Sequence, residues 1–328
     1  MPRLSRFGLA AAFAVALAAP AARAAEPDKL LPPDADSVVY VNVKQLVDSD
    51  IVKKYAIEQI KQALAGQEVK KLLQEMGLNP LTDVEKVWIG TSGTDQTDMK
   101  VVAVVHGKFD ADKLVKAAEA AAKKDGDKFS VVKDGDTTLF KFQPDQGNPV
   151  YGTVVDGSTV VAASDKKLVA AALKQADAQK SPIKAELAAL VKAMDDKMSV
   201  FAVSLVKGKL GQVKIPPQVN ATLNTAEFEK ALPKTNSLSF AIRITEDVGL
   251  EVVFGMETDD AAGDMDAGLV KVIDSIKALV PIFAAADPKA KPLPDVVKTI
   301  KSSAKKKNVT VTAKLTGDNL GKMLNAGE

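Results

Sequence analysis

Runs rich in β-branched residues stand in pairs separated by two-residue polar joints. This pairing constrains the fold more than any other feature of the chain. Asp134-Gly135 divides the run 129–132 from 137–142, and Asp156-Gly157 divides 150–155 from 159–163. An Asp-Gly pair supplies the positive φ values that a tight hairpin needs, so antiparallel pairing follows. Glu246-Asp247 joins 237–245 to 249–258 in the same way, and further β-rich runs lie at 37–43, 86–91, 100–109, 198–206 and 308–315. The stretch 101–105 is apolar without alternation, which predicts a strand central in its sheet or covered on both faces.

Helical periodicity fills the intervals. Ile57, Ile60, Leu64, Val69, Leu72, Leu73 and Met76 recur at three- and four-residue steps across 51–76, and Gly77 with Asn79-Pro80 ends the pattern. An alanine-rich helix is expected over 110–124 with Asp110 as its cap, and another over 165–176. A third is expected to open at Ser181, with Pro182 in the first helical position, and to run to about Met194.

The second half repeats the theme. Val101-Val102 aligns with Val252-Val253 at an offset of 151 residues, and Leu168 aligns with Leu320 at 152. The run 198–206 resembles 37–43, and a helix follows the second strand of the pair in both halves, from Asp110 and from Asp266. Near-constant offsets over separate elements point to a duplicated unit; the other reading is two unrelated stretches of α+β structure. Length also exceeds what one core usually serves. The expected fold is therefore α+β: two similar tandem units, 25–195 and 196–328, each an antiparallel sheet with helices packed on one face.

Residues 1–24 read as a secretory signal peptide. Arg3 and Arg6 precede the uncharged apolar run 9–19, Pro20 breaks it, and Ala22-Arg23-Ala24 offers the small residues a peptidase reads, with cleavage before Ala25. The apolar run covers about half of the roughly 20 residues that a membrane-spanning helix needs, so removal is expected and not anchoring. With no cysteine, lipid attachment and disulfides are both excluded, and stability must come from burial. The expected location is periplasmic or extracellular, with residues 25–29 the one part of the mature chain lacking fixed structure.

Without Arg3, Arg6 and Arg23 the 44 basic residues fall to 41, against 42 acidic ones. A near-neutral chain with lysine as almost its only cation is a poor binder of nucleic acid. Lys305-Lys306-Lys307 reads as a solvated turn. The inventory for chemistry is equally thin: one histidine (His106), one tryptophan (Trp88) and, after the signal, one arginine (Arg243). His106, at a strand end, lacks an evident nucleophile and orienting carboxylate, and a lone imidazole leaves zinc, copper and haem without their usual ligands.

Ser164-Asp165-Lys166-Lys167 matches the S-x-x-K pattern of serine–lysine acyl-transfer enzymes. The pattern recurs at Ser130 with Lys133, Ser181 with Lys184 and Ser204 with Lys207, and the companion S-D-N and K-T-G elements are absent. Ser164 is read as a helix cap. Carboxylates are abundant enough to supply a glycosidase-type pair, but aromatics, at 5%, are few for sugar stacking. The acids Glu257, Asp259, Asp260, Asp264 and Asp266 lack the twelfth-position glutamate of a calcium loop, where Val270 or Ser275 stands, and read as a polar loop feeding the next helix. Gly90 to Gly93 lacks the lysine of a P-loop, and there is no dinucleotide fingerprint. No catalytic, cofactor or metal residue is assigned.

The helix 269–283 carries a broad apolar face of Leu269, Val272, Ile273, Ile276, Leu279, Val280 and Phe283, widened by Val270 and Ile282. It is expected to lie buried against a sheet, or to line a pocket for a lipid.

Two phrases carry a resemblance. Leu31-Pro32-Pro33-Asp34-Ala35-Asp36-Ser37, followed by a strand and Val43-Lys44-Gln45-Leu46, is the first; Gly77-Leu78-Asn79-Pro80-Leu81-Thr82-Asp83-Val84 is the second. Together they resemble exported bacterial proteins of unknown function, of a type common in planctomycetes. The likeness spans most of the chain after the signal; it implies tandem α+β units and no activity. The expected function is an exported non-catalytic binding or structural module of the cell envelope or extracellular space, with an unknown protein or envelope partner. The alternatives are a carrier of a hydrophobic ligand such as lipid, and a hydrolase using Ser164 and Lys167 or a carboxylate pair.

Overall fold

The computed structural model describes residues 24–93, 99–124, 126–134 and 137–325. The signal-like segment, up to residue 23, and Gly135 of the first Asp-Gly joint lie outside the described residues.

Strand β1 (Ser37–Val41) leads into helices α1 (Val43–Asp48), α2 (Asp50–Tyr55), α3 (Ile57–Leu64), α4 (Gln67–Met76) and α5 (Pro80–Asp83). Strands β2 (Val84–Ser92) and β3 (Lys100–Gly107) follow, then α6 (Ala111–Lys124). Four more strands, β4 (Phe129–Asp134), β5 (Thr137–Phe142), β6 (Val150–Asp156) and β7 (Thr159–Ala163), precede α7 (Lys166–Lys174) and α8 (Ala185–Lys192). The second half runs β8 (Val200–Leu205), α9 (Pro217–Leu223), α10 (Ala226–Ala231), β9 (Thr235–Ile244), β10 (Asp247–Met256) and α11 (Asp259–Ala286). It ends with α12 (Leu293–Lys298), β11 (Lys301–Lys305), β12 (Asn308–Thr316) and α13 (Gly317–Asn325).

The protein is thus a mixture of helix and strand built on one large antiparallel sheet. Its strand order is β11-β12-β10-β9-β8-β1-β2-β3-β7-β6-β5-β4. The two halves meet where β1 pairs with β8, Tyr40 opposite Phe201 and Val38 opposite Val203. Tyr40 also stands opposite Trp88 on β2, and the three rings touch, with centroids 4.6 Å (Tyr40–Trp88), 4.9 Å (Tyr40–Phe201) and 5.8 Å (Trp88–Phe201) apart.

These rings lie on the first face of the sheet, where Val38, Val102, Val104, Val161, Phe201 and Val203 are almost wholly buried. The segment 24–36 covers them with Leu30, Leu31 and Ala35, α7 with Val169 and Ala172, and α8 with Leu187 and Val191. A second, smaller core forms on the opposite face. There α11 sets Met265 and Leu269 against Phe254, Val309 and Val311 of β10 and β12, with Leu232 and Phe228 alongside. Taken over the whole sheet, helices therefore lie on both faces, the larger core on one and the smaller on the other. The reason is the parity of β10 and β12, whose large apolar residues point away from the side that Tyr40 occupies.

Local departures from expectation have identifiable causes. The periodic stretch 51–76 is three helices, interrupted at Ala56 and at Ala65-Gly66, where Gly66 turns to φ −53°, ψ 135°. Ser181-Pro182 does not open α8; Lys184 is its N-cap, because Ile183 first drops into the core. The acids Asp259 to Asp266 are not a loop. Thr258 caps α11 by accepting the Ala261 N–H at 3.1 Å, and Asp259 and Asp260 occupy the first turn, where the helix dipole favours anions. That helix accordingly begins seven residues before Asp266. β3 is interior to the sheet, one of the two placements expected for it; within 101–105 Val102 and Val104 are buried, and Val101, Ala103 and Val105 on the other face are half-buried.

Residues 25–29 are held, against expectation. Ala25 is 2% exposed and donates its N–H to the Met194 carbonyl at 2.9 Å. Asp28 bonds His106, and the Lys29 ammonium donates to the Ala176 carbonyl.

Candidate functional site: the half-exposed face of the sheet

Antiparallel register places one row of residues straight across the second face. It reads Val131, Phe140, Gly152 and Ala162 in the outer strands, then Ala103, Ile89, Val39 and Ala202 in the middle. It continues through Phe240 and Val252 to Val311. The next row is aliphatic as well: Val160, Val105, Val87, Val41, Val200, Ile242 and Leu250. On the first face the equivalent row changes character, from Phe201 and Ala241 to Glu251 and Thr312, where no core covers it.

A sheet face left to water ordinarily alternates to polar residues. Here the second face stays apolar from β7 to β9, a width of about 24 Å at the usual strand spacing, and not one residue of that central stretch is fully buried. α11 and its neighbours cover the β10–β12–β11 end. Elsewhere α6 packs on β4 and β6, and α1 and α5 reach β2. The middle of the face is half-buried, a non-directional apolar surface that offers contact area. Ser37 and Ser204, which hydrogen-bond each other at 2.8 Å, mark its polar limit on one side.

The residues weighed for chemistry lie elsewhere and are not assembled. Ser164 Oγ accepts the Val101 N–H at 3.0 Å, and the cap of α7 is Asp165, which accepts the Lys167 N–H at 2.7 Å. Ser164 thus precedes the helix and is not its cap, so the one-turn spacing that would aim Lys167 at the hydroxyl does not arise. Asp264 pairs with Lys234 at 2.9 Å, and Asp266 accepts the Ser302 hydroxyl. Among the described residues no group of three or more His, Asp or Glu side chains is placed to hold a metal ion.

His106 does have an acid and a hydroxyl beside it. Its Nε2 is 2.5 Å from Asp28 Oδ2 and its Nδ1 is 3.4 Å from Thr159 Oγ1. Thr159 is 6% exposed, so a substrate has no approach to that hydroxyl. Nearby Asp156 is held below the usual carboxylate range, first by the Ser158 hydroxyl, against the opposing cost of burial, with smaller help from the Ser158 N–H, Thr159 and His106. The arrangement ties the segment 24–36 to β3 and β7. Sequence reasoning missed Asp28 because it lies in a short polar stretch whose partner is 78 residues away.

Two open grooves accompany the sheet. One, of about 660 Å³, is lined by Asn42, Lys44, Gln45, Asp48, Lys197 and Glu246 among others; a second, of about 560 Å³, lies between α3, α4 and α5. Neither brings a nucleophile to a base. No family model matches the chain, and no match was found among curated proteins or solved structures.

Proposed function

We propose that this chain is an exported, non-catalytic binding module of the cell envelope or extracellular space. It works by laying the apolar second face of its sheet against a hydrophobic ligand or the apolar surface of a partner. The single observation behind this reading is the central row Ala162, Ala103, Ile89, Val39, Ala202 and Phe240, apolar throughout and nowhere fully buried. At about 25 cal/mol per Å2 of apolar surface removed from water, covering such a floor stabilises a complex substantially.

We further propose that the body consists of two related units, 25–195 and 196–328. Reading outward from the seam supports this: β1-β2-β3-β7-β6 on one side is matched by β8-β9-β10-β12-β11 on the other, with a helix after β3 and after β10. The signal-like residues 1–24 and the likeness to exported proteins belong to the same reading.

The test is recovery of the exported chain from its host envelope, followed by native mass spectrometry of wild type and Ile89→Glu. A bound apolar compound or partner, lost in the variant while the fold persists, is the expected result. A bare wild-type polypeptide, or cargo retained by Ile89→Glu, contradicts the proposal.

A further inference from the structure

The second half of α11 does not behave as a packed amphipathic helix. Its fully buried residues run from Ala261 to Ile273, after which only Ala284 is fully buried, with Ile276, Leu279 and Val280 half-buried. Residues 278–286 carry no charge, yet Pro281, Ile282 and Phe283 are exposed, Ile282 at 67% and Phe283 at 62%. The apolar face foreseen for 269–283 is therefore buried or half-buried as far as Val280, and exposed at Phe283 and the flanking Ile282. A helix side facing water normally turns polar, so two adjacent large apolar side chains exposed near the helix end mark a contact surface.

Charge identifies what the surface meets. Lys289 and Lys291 follow the apolar run, exposed and without an ion pair among the described residues, whereas Lys277 and Lys298 neighbour Asp274 and Asp295. Asp287 is the one acid between, and its carboxylate accepts the Lys289 N–H at 2.9 Å. A second copy meeting this tip through the same surface brings the same two lysines and, as local acid, only Asp287, whose carboxylate already accepts the Lys289 N–H. An anionic lipid surface instead neutralises them while its interface takes up the apolar side chains. The run is too short to cross, at about 14 Å against a hydrocarbon core of about 30 Å, and no described helix is long and apolar enough to span a membrane.

We infer that the end of α11 is a shallow membrane-docking tip: Ile282 and Phe283 enter the interface of an anionic bilayer, and Lys289 and Lys291 engage its headgroups. This surface is separate from the open sheet face, and its test does not depend on what that face binds.

Wild type and variants, prepared in the same N-terminal form, are floated with vesicles of phosphatidylglycerol and phosphatidylcholine or of phosphatidylcholine alone. Wild type is expected to partition onto the anionic vesicles, more weakly at high salt. Ile282→Ser/Phe283→Ser should lower that partition at least tenfold, and Lys289→Glu/Lys291→Glu should abolish the preference for anionic lipid. Because all four side chains are exposed, thermal melting should not change. Equal partition of wild type and the serine variant overturns the inference, as does a concentration-dependent dimer broken by those serines with no vesicle binding.

Discussion

Tyr40 and Phe201 face each other across the β1–β8 pair with ring centroids 4.9 Å apart, and this contact is where the two halves of the chain become one sheet. Phe201 is fully buried and touches Trp88 as well. Phe201→Ala should cost about 3–5 kcal/mol, the usual range for an aromatic removed from a core. Urea unfolding of the two forms reads this directly; a loss below about 1 kcal/mol would show that the seam does not hold the halves together.

Tyr40 ionises late. Burial, and then the nearby Asp196 carboxylate, push its hydroxyl up to about 12. A raised value means that the folded state holds the proton more tightly than the unfolded chain, so this contribution is complete below about pH 10 and is lost as pH rises through about 12. Absorbance titration near 295 nm should show a late component that Tyr40→Phe removes. Its persistence in the variant would assign it elsewhere.

Asp36 anchors the end of the segment 24–36. The Lys184 ammonium, donating at 2.5 Å, is the main cause holding Asp36 below the usual carboxylate range; burial opposes it, and Lys209 at 3.2 Å adds to it. The depressed value places the stabilisation above the unfolded carboxylate range near pH 4 and removes it as pH falls through the folded value. Asp36→Asn should therefore destabilise by up to about 1 kcal/mol at pH 7 and by nothing at the acid end. An equal effect at both pH values would mean that packing, not charge, is what Asp36 supplies.

The pair His106–Asp28 pins the same segment at its other end. With the Asp28 side chain only 8% exposed, His106→Ala leaves a carboxylate short of its partner, at a cost of about 1–3 kcal/mol. Hydrogen exchange at the amides of Leu31 and Ala35, which bond back to Asp28 and Pro32, should accelerate ahead of the sheet amides. Unchanged protection there would remove the latch from the description.

Gly268 sets the approach of α11 to α10. A Cβ at this position would stand 2.5 Å from the Phe228 nitrogen and 2.8 Å from its Cα, and backbone cannot swing aside as a flexible side-chain end can. Gly268→Ala should cost about 1–3 kcal/mol, measured by thermal unfolding. A neutral result would mean that the helices separate without penalty.

The strands were legible because their signals are local. Asp156-Gly157 and Glu246-Asp247 announce hairpins near the joints themselves, and β6–β7 and β9–β10 form there, although the first turns at Gly157-Ser158 without the positive φ expected of an Asp-Gly pair. Asp110 caps α6 through the Lys113 N–H at 3.0 Å, again a contact within one turn. What could not be read depends on distance or on parity. Asp28 finds His106 only after β3 has been placed. The side chosen by α11 follows from which alternate residues of β10 and β12 are large. Leu250, Val252 and Phe254 alternate with Gly249, Glu251 and Gly255, and Val309, Val311 and Leu315 with Thr310, Thr312 and Lys314. Each strand carries this pattern, but its face is known only once the strands are set beside β1 and β8. The site shows the same limit: the 101–105 run did signal two apolar faces, but not that one of them would stay half-open.

The chain contains no cysteine, so a single introduced thiol reports on one position without background. Ala103 lies on the second face and is half-buried, while Ala163 lies on the first face and is 3% exposed. Maleimide labelling of Ala103→Cys and Ala163→Cys under native conditions tests most directly whether a working surface exists. Rapid modification at position 103, slow modification at 163, and protection of 103 alone when the native ligand or partner is present are the expected results. Equal protection of both thiols in the free protein would mean that the second face is closed core, and a module acting through it would have to be abandoned.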